Sequence, residues 1–157
     1  FAPGAQYGAA KQWPAAYFAR LAKCLEKEGM QIWVIGSLED AKICRQIVSL
    51  AGSSVMNMSG KTSLQEAIDL MSCAACVVTN DSGLMHIAAA VGRPMVAIFG
   101  SSTPNYTPPL GAKEHTRVMH LNLSCSPCFE RECPLGHTNC LTQIEVEDVL
   151  VEAKHLL

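Results

Sequence analysis

Hydrophobic positions along the chain follow two spacings, one typical of helices and one typical of buried strands. Phe18, Leu21 and Leu25 recur at helical spacing until Gly29 ends the pattern. Short apolar runs without polar alternation indicate strands that are covered on both faces. The predicted helices are 14–28, 38–50, 63–72, 84–91 and 146–157, and the predicted strands are 32–35, 54–58, 76–79, 95–99 and 117–121.

This alternation of strands and helices predicts an α/β fold, a three-layer parallel sheet that is doubly wound and Rossmann-like. The sequence shows no internal repeat and no linker between domains. Its 157 residues can bury one core but are too few for two full-sized domains. We therefore expect residues 1–157 to form a single domain.

Charge and hydropathy narrow the class of protein. The net charge is −2 and only 12 residues are Lys or Arg, which argues against a nucleic-acid surface. No apolar run approaches the ~20 residues of a membrane span, and no secretory leader is visible. A hydrophobic content of 49% argues against disorder. The sequence thus favours a cytoplasmic globular domain.

Small and polar residues follow four of the predicted strands or strand ends, at 3–5, 36–37, 80–83 and 100–102. Ligands of parallel sheets bind at the carboxyl ends of strands, where free amides suit phosphate. Turns and helix caps need the same residue types, so a single loop would be uninformative. Four together favour a nucleotide or sugar-phosphate site. Neither a Gly-x-Gly-x-x-Gly loop nor a Walker lysine loop is present, which disfavours NAD enzymes and P-loop ATPases.

Segment 80–86, Asn-Asp-Ser-Gly-Leu-Met-His, joins a predicted strand to a predicted helix. In that position the amides of Ser82 and Gly83 can face a diphosphate, and His86 can donate a hydrogen bond to an oxyanion. Asp81 can orient a ligand hydroxyl. Two structural alternatives stay open, in which Asp81 is a plain helix N-cap and His86 is a core histidine.

Eight cysteines fall into two groups. Four lie in apolar helix or strand patterns, where buried reduced thiols are the ordinary interpretation: Cys24, Cys44, Cys73 and Cys76. The other four crowd one loop in a C-x2-C-x4-C-x6-C pattern: Cys125, Cys128, Cys133 and Cys140.

The loop cysteines have several interpretations. The first pair has the spacing of zinc ligands, and four thiolates would complete a structural zinc site. The same residues could instead hold an iron–sulfur cluster, form disulfides in an oxidising compartment, or stay reduced in a surface loop. His120 and His137 are near enough in sequence to replace a ligand.

Segment 80–86 and the opening 3–14, Pro-Gly-Ala-Gln-Tyr-Gly-Ala-Ala-Lys-Gln-Trp-Pro, resemble the ADP-heptose:lipopolysaccharide heptosyltransferases. The likeness runs from residue 1 to about 109 and resumes at the terminal helix. It implies a GT-B glycosyltransferase, built from two Rossmann-like domains around a cleft. This chain resembles the C-terminal, donor-binding domain, and the N-terminal acceptor domain is expected to precede residue 1.

The resemblance also implies roles for individual residues. Lys11 matches the lysine that faces the donor diphosphate, and Glu39 matches the acid that contacts the ribose hydroxyls. Thr62 matches a position near the adenine. A surface acid at Glu39 and a helix cap at Thr62 are the structural alternatives. The remaining matches form the diphosphate and sugar loop: Asp81, Ser82, Gly83, Leu84 and His86.

The implied reaction moves heptose from ADP-heptose to the inner core of lipopolysaccharide, with inversion at the anomeric carbon and no cofactor required for the chemistry. The family's base is an aspartate of the N-terminal domain, so no catalytic base is assigned to this chain. We expect the chain alone to bind donor weakly and to transfer nothing. The acceptor would bind through the other domain, with peripheral association at the inner face of the inner membrane.

Two alternatives to this function stay open. The chain could be a non-catalytic, metal-stabilised interaction module that keeps a Rossmann-like shell. It could also belong to another GT-B enzyme, such as a nucleotide-sugar epimerase, which would normally use UDP-sugars.

Overall fold

The computed structural model describes residues 1–52 and 54–157, and the strands in them are all parallel. They form one pair, β1-β2, and one group of three in the order β3-β4-β5. Their bounds are β1 Trp33–Val34, β2 Met56–Asn57, β3 Val77–Asn80, β4 Met95–Phe99 and β5 Thr116–His120.

The first two residues join the two groups of strands into one sheet. Phe1 pairs with the β1 side, where its carbonyl accepts the Ile35 N–H at 2.8 Å. Ala2 pairs with the β3 side, where its N–H donates to the Val78 carbonyl at 2.9 Å. The resulting spatial order is β2, β1, residues 1–2, β3, β4, β5, which is the strand order of a doubly wound sheet.

The predicted helices are all present, with ends that differ by a few residues from the sequence pattern. The structure adds two 3-10 turns, Ala9–Lys11 and Lys113–His115, and one short helix that periodicity did not indicate. In the described residues no helix has both the length and the apolar character needed to span a membrane. The helices are α1 Ala15–Lys27, α2 Ala41–Ala51, α3 Leu64–Ser72, α4 Gly83–Ala90, α5 Asn139–Thr142 and α6 Val146–Leu156.

Helix α3 begins as its sequence predicts. The Ser63 hydroxyl accepts the Glu66 N–H at 3.2 Å, and the Glu66 carboxylate accepts the Ser63 N–H at 2.8 Å. These reciprocal bonds form a capping box, which satisfies two donors that the first helical turn leaves free. They also lower the pKa of Glu66 through hydrogen bonds from Ser63.

Both faces of the sheet are buried, which confirms the predicted three-layer architecture. Val96 and Ile98 of β4 pack with the core under α1, α2 and α6. Met95, Ala97 and Phe99 alternate with them and pack on the opposite face, under α3 and α4. Successive residues of a strand point to opposite faces, so an unbroken apolar strand fits only between two helical layers.

The prediction of buried thiols is wrong at one position. Cys44 is buried, and Cys24 and Cys76 are half-buried, but Cys73 is exposed as the C-cap of α3. Cys73 follows the last helical residue, where the apolar face of the helix has already ended. Burial raises the pKa of the Cys44 and Cys76 thiols to about 11, so both stay protonated near neutral pH.

Asn80, the last residue of β3, attaches the opening segment to the sheet. Its side-chain oxygen accepts the Trp13 N–H at 3.1 Å, and its amide donates to the Pro3 carbonyl at 2.6 Å. The residue is fully buried, so no water can replace either bond. One amide side chain therefore holds both ends of segment 3–13 in place.

We expect Asn80→Ala to lower the free energy of unfolding by about 2–5 kcal/mol, because two buried backbone groups lose their partners. Urea titration followed by tryptophan fluorescence measures the change. Asn122 is exposed, so Asn122→Ala is the matched control and should leave stability within about 0.5 kcal/mol. A loss below about 1 kcal/mol for Asn80→Ala would contradict this role.

Candidate functional site

A cavity of about 520 Å³ opens at the carboxyl ends of β1 and β3. Its size lies within the range of about 300–1,000 Å³ that small-molecule sites occupy. Three of the four loops that the sequence pointed to contribute lining residues, at 4–5, 36–37 and 81–83. The fourth loop, 100–102, is not part of the described lining, but its Ser102 hydroxyl donates to the lining residue Asp81. The cavity therefore lies at the edge of the sheet where the sequence predicted a ligand site.

An ion pair between Lys11 and Asp81 stands in the wall of this cavity. The Lys11 Nζ lies 2.6 Å from Asp81 Oδ2, and only 4% of the Asp81 side chain is exposed. The Ser102 hydroxyl donates to the same carboxylate oxygen at 2.6 Å, and the Thr107 hydroxyl donates to the other at 3.3 Å. The buried carboxylate therefore has three donors, and it holds the ammonium at the cavity.

Asp81 is not the N-cap of α4, so that alternative is wrong. The N-cap position belongs to Ser82, whose side chain makes no capping bond within the described residues. Lys11 lies 70 residues away along the chain, and this separation explains why local sequence rules suggested a cap. The partners of Asp81 that sequence reasoning missed are Ser102 and Thr107. Both are small hydroxyl residues that follow a strand. Such residues are common in turns, so the sequence pattern did not identify these two as partners of a carboxylate.

The N-terminus of α4 faces the cavity with space in front of it. Ser82 and Gly83 both line the cavity. The Ser82 hydroxyl is buried and finds no partner in residues 1–52 and 54–157. A Cβ on Gly83 would meet nothing within 4 Å. Uncapped helix N–H groups and the Lys11 ammonium together make an anion-binding corner.

The remaining residues of the predicted loop also line the cavity. Leu84 is half-buried in the lining of the cavity. His86 also lines it and is exposed, so the core-histidine alternative is wrong. Thr62 lines the cavity as well. Its neighbour Ser63 caps α3, so the helix-cap alternative for Thr62 is wrong as well.

Glu39 is exposed and, in the described part of the chain, is not a lining residue; Asp40 beside it is. The Asp40 carboxylate accepts the Ser37 N–H and hydroxyl, each at 2.8 Å. A Cβ on Gly4 would lie 2.3 Å from that carboxylate, and one on Gly36 would lie 2.8 Å from the Asp40 Cβ. Sequence reasoning missed Asp40, although Ser-x-x-Asp before an apolar run is a signal of a helix start. Contact of Glu39 with ribose stays a prediction.

Tyr7 is another lining residue of the cavity whose role the sequence pattern did not indicate. The Lys11 Nζ lies 4.8 Å from the centre of the Tyr7 ring, and the Arg131 guanidinium lies 5.2 Å from it. The Tyr7 hydroxyl donates to the Phe129 carbonyl. Tyr7 thus connects the cavity to the cysteine segment, residues 125–140, which carries the four clustered cysteines.

The four clustered cysteines line one small cavity of about 20 Å³: Cys125, Cys128, Cys133 and Cys140. Burial first, and then the three neighbouring thiols, raise the pKa of Cys140. Backbone N–H groups, that of Thr138 foremost, lower the pKa of Cys133.

The expectation that all four lie in one loop is wrong for Cys140, which is buried on α5. His137 also lines the small cavity, whereas His120 stacks edge-on against Phe99. Within residues 1–52 and 54–157 no three Cys, His, Asp or Glu side chains stand as a ready-made metal-holding group. The four thiols therefore line one cavity, and metal binding by them stays a prediction.

A double-mutant cycle tests the ion pair. We expect Lys11→Met to cost about 3 kcal/mol of unfolding free energy, because the buried Asp81 carboxylate loses its counter-charge. The double variant Lys11→Met/Asp81→Asn should lose about 1–3 kcal/mol less unfolding free energy than the two single variants lose in sum. Urea unfolding measures all three losses. The exposed pair Lys154–Glu28, at 2.7 Å, is the matched control and should couple by less than about 0.5 kcal/mol. Equal coupling in both pairs would refute the assignment.

Comparison with known proteins places the chain in a family. The model of glycosyltransferase family 9 (heptosyltransferase) matches residues 1–139. Lipopolysaccharide heptosyltransferase 2 of Salmonella typhimurium is 39% identical, over 100% of this chain and 46% of its own length. Lipooligosaccharide heptosyltransferase 2 of Haemophilus influenzae is 45% identical, over 72% of this chain and 34% of its own length.

A solved structure agrees with the sequence relatives. The structure of Escherichia coli ADP-heptose lps heptosyltransferase II matches with a TM-score of 0.87 and 38% identity, over 99% of this chain and 45% of that one. The chain therefore spans about half the length of the relatives it matches. The predicted GT-B class is confirmed by this likeness. Given the family match over most of its residues, the chain belongs to glycosyltransferase family 9, the heptosyltransferases.

Proposed function

We propose that this chain is the donor-binding part of a glycosyltransferase that moves heptose from ADP-heptose to the inner core of lipopolysaccharide, with inversion. The observation that supports this most strongly is the Lys11–Asp81 pair beside the uncapped N-terminus of α4, in a cavity of about 520 Å³. The names of the relatives, which are lipopolysaccharide and ADP-heptose heptosyltransferases, support the donor and the acceptor.

The lining of the cavity suggests how the donor would lie. The diphosphate fits the corner formed by Lys11 and the first amides of α4, because both present positive charge there. Carboxylates accept hydrogen bonds from ribose hydroxyls, and Asp40 lines the cavity with Glu39 next to it. The adenine would then lie near Thr62, which also lines the cavity.

In the proposed reaction an acceptor hydroxyl oxygen attacks the anomeric carbon of the heptose. The bond from that carbon to the diphosphate oxygen breaks, and its electron pair leaves with ADP. Lys11 and the α4 amides stabilise the negative charge that develops on the diphosphate. Asp81 acts as a positioning residue, because its carboxylate is committed to Lys11 and two hydroxyls.

The acceptor hydroxyl must also lose its proton to a base. We place that base in the part of the protein that binds the acceptor, an N-terminal domain outside these 157 residues. Zinc or another cofactor has no step in this chemistry. We further propose a cytoplasmic location with peripheral association at the inner face of the inner membrane, where a lipopolysaccharide acceptor would be presented. The family match favours the glycosyltransferase over the epimerase and the interaction module.

Gly83→Ala tests the donor site without disturbing the fold. A methyl group there enters open space, so thermal stability should change by less than about 0.5 kcal/mol. It also occupies the place where a diphosphate would approach the α4 amides. We expect ADP affinity, measured by isothermal titration calorimetry, to fall about tenfold or more, equivalent to ~1.4 kcal/mol.

Two comparisons support this test. UDP should bind at least about tenfold more weakly than ADP to the unmodified protein, because the wall at Thr62 would select the base. Lys23 is an exposed lysine of α1, so Lys23→Ala should leave ADP affinity unchanged. Unchanged ADP affinity in Gly83→Ala would remove the helix end from the proposed site.

We expect no heptosyl transfer by the 157 residues alone, since no base is assigned among them. The measurement is mass-spectrometric detection of a heptosylated acceptor after incubation with ADP-heptose and heptose-deficient lipopolysaccharide. A longer protein that includes the acceptor domain is the positive control. Transfer by the chain alone would overturn the assignment of the base.

A further inference from the structure

Four thiols, three from a loop and one from α5, line one cavity that no step of the proposed heptosyl transfer uses. The cavity measures about 20 Å³, and its lining includes all four cysteines of the C-x2-C-x4-C-x6-C segment: Cys125, Cys128, Cys133 and Cys140. We propose that they hold one soft divalent metal ion, zinc or iron, as a structural site. Four thiolates in tetrahedral arrangement are the ligand set that both ions accept.

A backbone donor already contacts one of these sulfurs. The Thr138 N–H donates to Cys133 Sγ at 3.4 Å. Hydrogen bonds from backbone N–H groups to the ligand sulfur are a usual outer contact of cysteine metal sites. The turn after Cys133 thus supplies one such contact.

Ser101 provides an independent observation. The residue is 1% exposed, and its hydroxyl finds no partner in residues 1–52 and 54–157. Ser101 lines the same small cavity as the cysteines. A buried hydroxyl without a partner is costly, and a metal-bound thiolate is an acceptor that would satisfy it.

The segment that carries the first three cysteines lacks a core of its own. Residues 121–138 contain neither helix nor strand, and each is exposed or half-buried. Two hydrogen bonds hold it to the residues that follow β4: the Phe129 N–H donates to the Ser101 carbonyl at 2.8 Å, and the Ser126 hydroxyl donates to the Gly100 carbonyl at 2.8 Å. Leu121 and Leu123 at its start pack against the hydrophobic core, and the cysteine-bearing residues that follow would be stabilised by a metal crosslink.

Binding is a ligand exchange without redox change. Four S–H bonds are replaced by four bonds from sulfur to the metal, and up to four protons are released to solvent. The thiols do not stand as a finished ligand group in the described residues, so χ1 rotations must complete it.

The site also touches the proposed donor cavity, and this step rests on the proposed function. The Ala10 N–H donates to the Arg131 carbonyl at 3.0 Å, directly before Lys11. A Cβ on Gly8 would lie 2.2 Å from that carbonyl, so the loop backbone packs tightly on the 3-10 turn. Losing the metal should therefore loosen the segment that carries Lys11 and weaken ADP binding.

The test is the metal content of the purified protein, prepared under reducing conditions without chelator and measured by inductively coupled plasma mass spectrometry. We expect about one zinc or iron ion per chain, and the analysis identifies which. Cys128→Ser should reduce the content to less than about one fifth. Cys73 is exposed and lies outside the cluster, so Cys73→Ser is the matched control and should keep the full content.

A second measurement covers the case in which Cys128→Ser does not fold. Cobalt(II) added to metal-stripped wild-type protein should give the intense d–d and thiolate charge-transfer bands of a tetrahedral four-sulfur site. Absence of metal before and after reconstitution with zinc or ferrous iron would overturn the inference. So would full metal content in Cys128→Ser, or disulfides between these cysteines in the purified protein.

The outcomes separate this inference from the proposed function. Full metal content with no ADP binding would contradict the donor site and leave the metal site standing. Normal ADP binding by a protein that never takes up metal would contradict the metal site alone.

Discussion

The buried ion pair between Lys11 and Asp81 is the interaction on which the rest of the site depends. It joins the opening segment to the end of β3 across 70 residues of sequence. The Ser102 and Thr107 hydroxyls share the carboxylate, so a third loop is attached to the same point. A carboxylate that is 4% exposed is tolerated only because these donors compensate its charge. The result is an ammonium held at the cavity wall beside the N-terminus of α4.

The parallel sheet explains why these groups meet at all. In a parallel sheet the carboxyl ends of all strands lie at the same edge of the sheet. The N-termini of the helices that follow lie at that edge too. Gly4 and Gly36 let two of these loops close around the Asp40 carboxylate. The cysteine segment forms an outer support, in contact with the 3-10 turn through the Arg131 carbonyl. The cavity therefore depends on loops that are far apart in sequence and that stabilise one another.

Local patterns in the sequence predicted most of the architecture. Strand β4 begins and ends at the residues that its apolar run indicated, because a strand buried on both faces leaves no polar position inside it. The Ser63–Glu66 capping box formed as expected, since its partners are only three residues apart. The short helix α5 was missed, because four residues are too few for a periodic signal. Cys73 was misplaced for the related reason that a helix end does not show how far its buried face extends.

What the sequence by itself determined is the order of strands and helices, the sheet edge at which a ligand would bind, and the family to which the motifs belong. These properties depend on periodicity, on turn chemistry and on contiguous motifs, all of which are local. Only the tertiary structure decided that Asp81 pairs with Lys11, that Asp40 lines the cavity while Glu39 stays exposed, and that Cys140 joins the other thiols from a helix. Those outcomes depend on contacts between distant segments, and spacing along the chain contains no information about the direction in which a side chain points once the loops have packed.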